Sequence, residues 1–114
     1  MPTALPEAVA EATGPVLVDC LTTWLAGVMD ECGVWTDEPG ADDRLSGAVD
    51  ELLAAWTSTR RRVVAVSNEV GSGIVPATPS GRRFRDEMGI LNARVAASTP
   101  RVWLVTAGLP RRLR

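Results

Sequence analysis

The sequence contains no histidine and no tyrosine, and its 12 basic residues are all arginine, so lysine is absent as well. Each absence removes a class of mechanism. Without imidazole there is no histidine acid, base, nucleophile or metal ligand. Without lysine there is no P-loop phosphate lysine and no Schiff-base chemistry. Cysteine is scarce: Cys20 and Cys32 form no CxxC pair and join no wider ligand cluster. That argues against a disulfide framework or a zinc site and suits a reducing, cytoplasmic setting. Charge of one sign is lacking too, since 14 acidic residues against 12 basic leave a net −2. No electrostatic case arises for nucleic acid or an anionic membrane as the main partner. Nothing approaches the ~18 consecutive apolar residues that span a bilayer. Residues 1–13 have neither a basic start nor a continuous apolar run, so no signal peptide is expected.

What is present is an ordinary globular mixture, 46% apolar and 23% charged over 114 residues. That is about one small domain, with no internal repeat. A chain of this size buries roughly 65% of its unfolded surface, enough for one core. Residues 6–12 are predicted to form a short helix before Gly14 and Pro15 break it. Val16, Leu17 and Val18 form a β-branched apolar run without alternation, as in a strand covered on both faces. Leu21, Trp24, Leu25 and Val28 then fall at helical spacing, and residues 31–41 read as a loop. Asp42 or Asp43 can cap a second long helix, running to about Thr59, whose stripe is Leu45, Val49, Leu52, Leu53 and Trp56. Residues 63–66 repeat the buried-strand pattern. Phe84, Met88, Leu91 and Val95 stripe a helix over residues 80–98, and residues 102–105 supply a third strand ended by Ala107, Gly108 and Pro110. Continuous apolar strands joined by amphipathic helices predict an α/β, three-layer architecture around a parallel sheet.

In such sheets ligands bind beyond the carboxyl ends of the strands. The residues there are Asp19 and Cys20, then Ser67, Asn68 and Glu69, then Thr106, Ala107 and Gly108. A carboxylate at the tip of an apolar strand has the form of a Walker B element and can hold a Mg²⁺ shell, commonly through water. Equally, Asp19 can cap the following helix. Asn68 and Glu69 can orient a hydroxyl or water, or accept a proton; the alternative is a loop satisfied by its own hydrogen bonds. Arg82, Arg83 and Arg85 at a helix start make a candidate anion site, or a solvated face balanced by Asp86 and Glu87. Arg60–Arg62 and the Arg111, Arg112, Arg114 tail are expected to be solvated. Cys20 reads as a small buried hydrophobe, and the four tryptophans as core, with Trp24 the one placed to line a site.

Four blocks carry a resemblance: VLVDCLTTWL at 16–25, VSNEVGSGIVP at 66–76, RRFRD at 82–86 through GILN at 89–92, and VWLVTAGLP at 102–110. In this order the chain resembles the bifunctional adenosylcobinamide kinase/adenosylcobinamide-phosphate guanylyltransferase family of cobalamin biosynthesis. The resemblance implies a RecA-like P-loop nucleotide-binding fold in a homo-oligomer. It implies phosphorylation of the aminopropanol hydroxyl of adenosylcobinamide with ATP or GTP, then transfer of GMP from GTP through a guanylylated histidine. Asp19 matches the family's acidic nucleotide-binding residue and would hold Mg²⁺ through water; Asn68 and Glu69 match the loop facing the active site. Arg82 and Arg85 are candidate phosphate contacts.

The family's Gly-rich P-loop with its lysine, and its histidine, map to nothing here. Residues 1–114 are therefore expected to be a single partial domain, the C-terminal two-thirds of the enzyme, inactive alone in both reactions. A sheet lacking its first strand and helix would leave an apolar face uncovered, so the isolated chain is expected to be poorly soluble, self-associated or partly molten. The alternatives are a non-catalytic remnant acting as an interaction or oligomerisation module, or another P-loop protein with a different substrate.

Overall fold

The computed structural model describes residues 4–71 and 73–114. Met1–Thr3, the start of the stretch weighed as a leader, and Ser72, one residue of the 66–76 block, lie outside the described residues. The order is α1 (Leu5–Ala10), β1 (Val16–Asp19), α2 (Leu21–Cys32), a 3₁₀ turn (Val34–Thr36), α3 (Ala41–Ser58), β2 (Val63–Val66), α4 (Pro79–Ala97), β3 (Trp103–Thr106) and β4 (Leu109–Arg112). The result is α/β with a small parallel sheet.

Helical periodicity decides the core. Leu21, Trp24, Leu25, Val28 and Met29 of α2 meet Leu45, Val49, Leu52 and Leu53 of α3 and Met88, Leu91 and Val95 of α4, all buried. Leu5 and Val9 of α1 close the cluster. Helix ends follow backbone chemistry. Gly33 stops α2 in the left-handed conformation (φ 81°), with the Glu38 side chain lying where a Cβ would stand, so the positive φ favours glycine there. Arg44 holds the next loop by donating to the carbonyls of Cys32 (2.7 Å) and Pro39 (3.0 Å). The expected cap at Asp42 or Asp43 is corrected: Gly40 is the N-cap of α3, with no side-chain cap. Both aspartates lie in the first turn, where they suit the helix dipole. Asp42 accepts from Arg83 at 2.8 Å, and Arg83 also pairs with Glu87. The hydrogen bond to Asp42 chiefly raises the Arg83 pKa. Thr78 caps α4 by accepting from the Gly81 N–H at 3.0 Å.

β1 and β2 pair in parallel, Val16 with Val63 through Asp19 with Val66. Val16, Val18, Val63 and Ala65 face the helical core. Alternation turns Leu17, Val64 and Val66 outward, and all three are exposed. Coverage of both strand faces was the expectation; within the described residues the helices cover one.

The third strand departs further. β3 does not join β1 and β2; it pairs antiparallel with β4, a strand the sequence reading did not anticipate. Ala107 and Gly108 both have positive φ (51° and 76°) and make a two-residue turn of the hand that hairpins favour. Thr106 and Leu109 flank the turn as a hydrogen-bonded pair. Val105 and Pro110 are then a non-bonded pair, and proline's missing N–H falls on the open edge. Trp103 is exposed rather than core, with the Arg112 guanidinium 5.9 Å from its ring centroid. Trp35 and Trp56 are half-buried against the core, and Trp56 donates to the Thr99 hydroxyl at 3.0 Å. Among the described residues no helix is long and apolar enough to cross a membrane.

Candidate functional site

The parallel register fixes the first fact about the site. Because Asp19 pairs with Val66, Asp19 and the Ser67–Asn68–Glu69 segment leave the same end of the sheet. Two of the three expected strand tips are therefore neighbours. The third is not in this sheet: Thr106 closes the hairpin and Ala107 and Gly108 form its turn, which corrects their placement on one rim with the others.

The Asp19 side chain is exposed and enters no hydrogen bond or ion pair among the described residues. It does not cap α2; Cys20 is the N-cap, without a side-chain cap, and the Asp19–Cys20 peptide is cis. Cys20 is half-buried rather than core. Its sulfur lies 3.4 Å from the Thr23 hydroxyl, and that hydrogen bond chiefly lowers the thiol pKa. Trp24 is corrected as a site residue: it is 0% exposed, deep in the core, and its indole N–H has no acceptor among the described residues.

Two residues missed by the sequence reading hold the second tip. The Asn68 N–H donates to the Thr22 hydroxyl at 3.2 Å, tying β2's end to the first turn of α2. Asn92 on α4 donates through Nδ2 to the Asn68 carbonyl at 2.9 Å and accepts from the Ser67 hydroxyl. One carboxamide thus engages both its donor and its acceptor. The signal was a polar residue immediately after Leu91 in the apolar stripe of α4. Glu69 accepts from the Gly71 N–H at 2.6 Å through one oxygen, a local turn.

Arg82 and Arg85 brace the loop after the tip. Arg82 donates to the carbonyls of Pro76 and Ala77 at 3.2 Å, and Arg85 to that of Gly71 at 2.7 Å. Each guanidinium has five N–H donors, so both keep capacity for an anion. No cluster of three or more metal-ligating side chains occurs among the described residues. A lone exposed carboxylate fits Mg²⁺, which retains waters and takes further oxygens from nucleotide phosphates. A shallow depression of about 380 Å³ between α3 and α4, lined by Leu53, Thr57, Arg94 and Ser98, lies on other elements. Its one charged residue, Arg94, already pairs with Asp50.

Comparison with known proteins bears on the same residues. A family model described as cobinamide kinase / cobinamide phosphate guanyltransferase matches residues 1–113. The bifunctional adenosylcobalamin biosynthesis protein CobP of Pseudomonas aeruginosa is 40% identical over 101 residues, 89% of this chain and 54% of that protein. The bifunctional adenosylcobalamin biosynthesis proteins CobU of Escherichia coli and Salmonella typhimurium are 35% and 37% identical over 82% of this chain and 55% of their own length. The chain spans about half the length of the curated relatives it matches. It belongs to the cobinamide kinase / cobinamide phosphate guanyltransferase family.

Proposed function

We propose that these residues form the strand-tip half of the nucleotide site of an adenosylcobinamide kinase/adenosylcobinamide-phosphate guanylyltransferase. The observation that carries the reading is the unpartnered Asp19 carboxylate beside the braced Asn68–Glu69 tip, in a chain matched by the family almost throughout. Phosphoryl and nucleotidyl transfer depend on positioning and on stabilising charge, so a rigid tip beside a free carboxylate suits them. Asp19 is the residue that would hold Mg²⁺ through water; the ion, when bound, offsets charge on the GTP or ATP phosphates. Asn68 orients the substrate hydroxyl. Glu69 accepts its proton through the oxygen not engaged by Gly71. Arg82 and Arg85 contact phosphate with their remaining donors. The reading includes adenosylcobinamide as substrate, a three-layer RecA-like P-loop fold, a homo-oligomer and a cytoplasmic setting.

Neither lysine nor histidine occurs in these 114 residues, so both reactions require those groups from elsewhere. The test is phosphorylation of adenosylcobinamide in the presence and absence of a polypeptide carrying the part of a relative left unmatched. The chain alone shows no turnover. In the reconstituted pair, Glu69→Gln lowers kcat by roughly a hundredfold or more, and Asp19→Ala abolishes Mg²⁺-dependent GTP binding measured by calorimetry. Turnover and GTP binding that survive both substitutions would remove these residues from the site.

A further inference from the structure

Between α2, the 3₁₀ turn and the start of α4 lies an open groove of about 470 Å³, lined by Ala26, Trp35, Ser80, Gly81 and Phe84. The rings of Trp35 and Phe84 are half-buried against the helical core, and Ser80 supplies the one side-chain hydroxyl. A concave apolar surface of this size with a single polar group has the character of a small-molecule subsite. Its α4 end is held in place: Thr78 caps the helix, and Arg82 ties down the carbonyls of Pro76 and Ala77. Pro76 stands where a Cβ on Gly81 would go. Ile74 and Val75, exposed at 95% and 65%, immediately precede it, so apolar surface continues from the groove onto that loop. The groove also borders the strand tips along two helices. Ala26 lies one turn after Thr22 on α2, and Phe84 two turns before Asn92 on α4; Thr22 and Asn92 are the residues that hold the Asn68 tip. At a rise of 1.5 Å per residue these offsets are ~6 Å and ~12 Å.

We propose that Ala26, Trp35, Ser80, Gly81 and Phe84 form the subsite for the ring of the corrinoid substrate. Its apolar, methyl-bearing edge rests against the two aromatic side chains, which offer area and ring-face contact together. The Ser80 hydroxyl bonds a peripheral amide. An open groove of this kind takes one edge of a large ring rather than enclosing a small molecule. The amide-linked arm that ends in the aminopropanol hydroxyl is about two extended residues long, ~7 Å. That length matches the offset between groove and tip, so the arm runs along α2 and delivers its hydroxyl to Asn68 and Glu69. The inference rests on the function proposed above for where the hydroxyl goes. Binding of the ring itself needs neither phosphate nor turnover.

The experiment is equilibrium dialysis of adenosylcobinamide against the full 114-residue chain, followed by corrinoid absorbance. Saturable binding with a Kd below about 1 mM is expected, and free aminopropanol in large excess does not compete. Ala26→Trp fills the groove from an exposed helical position, and Phe84→Ala removes one wall. Each weakens binding roughly tenfold or more. Ile90→Asp, exposed on α4 outside the groove, leaves it unchanged, and all variants keep the circular dichroism spectrum of the parent chain. Three results would overturn the proposal: no saturable binding, binding that withstands both groove variants, or an oligomer of this chain that Ala26→Trp breaks apart in sedimentation, which gives the groove to a second copy. Calorimetry of Mg²⁺-dependent GTP binding on the same samples separates this subsite from the nucleotide reading. GTP binding lost in Asp19→Ala, with corrinoid binding indifferent to the groove variants, strikes the subsite alone. GTP binding indifferent to Asp19→Ala, with corrinoid binding lost in the groove variants, strikes the nucleotide reading alone.

Discussion

The β1–β2 pair and the β3–β4 hairpin are both two-stranded and both hold valine-rich runs, yet their surroundings differ sharply. Val18 of β1 is buried in the helical core cluster, whereas Trp103, Val105 and Leu109 of the hairpin are exposed. Apolar composition states what a strand tends to bury, but long-range partners decide what it does bury. In β1–β2 the chain supplies a partner for one face through α2, α3 and α4. In β3–β4 a tight turn supplies only the neighbouring strand.

Trp24→Ala gives the largest expected effect. Removing that fully buried indole should cost about 3–5 kcal/mol in urea unfolding followed by circular dichroism. The cost falls toward the lower end because the indole N–H is already unpaired. A loss below about 1 kcal/mol would show that the helical core is loosely packed. The next contrast lies at the two ends of α2. Cys20 is partly accessible with a lowered thiol pKa, and Cys32 is buried with its pKa raised chiefly by desolvation. A thiol-specific reagent at mildly alkaline pH should label Cys20 roughly tenfold faster or more. Because the folded pKa of Cys32 is raised, its thiol is neutral in both states below the unfolded pKa and nothing is lost there. As pH climbs from that value toward the folded pKa the unfolded chain ionises first, so stability declines. Cys32→Ala should remove that alkaline decline, measured as unfolding midpoint against pH.

Smaller effects sharpen the comparison. Thr78→Ala removes the α4 cap and should cost about 1 kcal/mol by the same denaturation. Trp103→Ala on the hairpin should cost about 0.5 kcal/mol or less, since it loses an exposed contact with Arg112 and little else. A cost near that of Trp24→Ala would mean that the hairpin is packed against a partner in solution.

Much of the fold was legible because its signals are local. The stripes Leu45–Val49–Leu52 and Met88–Leu91–Val95 fall on one helical face whatever surrounds them, and those residues are buried. The adjacency of Asp19 and Asn68 was legible for a related reason, since parallel strands joined by helices bring their carboxyl ends together. The capping role weighed for Asp19 and the lining role given to Trp24 were not settled by spacing. One residue's shift around a helix start, or a face turned inward, reverses either reading.

The sequence by itself determined the order of the main elements through β3, the family blocks, and the lack of lysine and histidine. Tertiary structure alone decided that β3 stays out of the β1–β2 sheet, that Asn92 and Thr22 clamp the Ser67–Asn68 tip, and that Leu17, Val64 and Val66 face outward. The physical reason is range. Periodicity and turn chemistry act within a few residues, whereas strand partners and clamping hydrogen bonds join positions tens of residues apart, and many pairings satisfy the same local pattern.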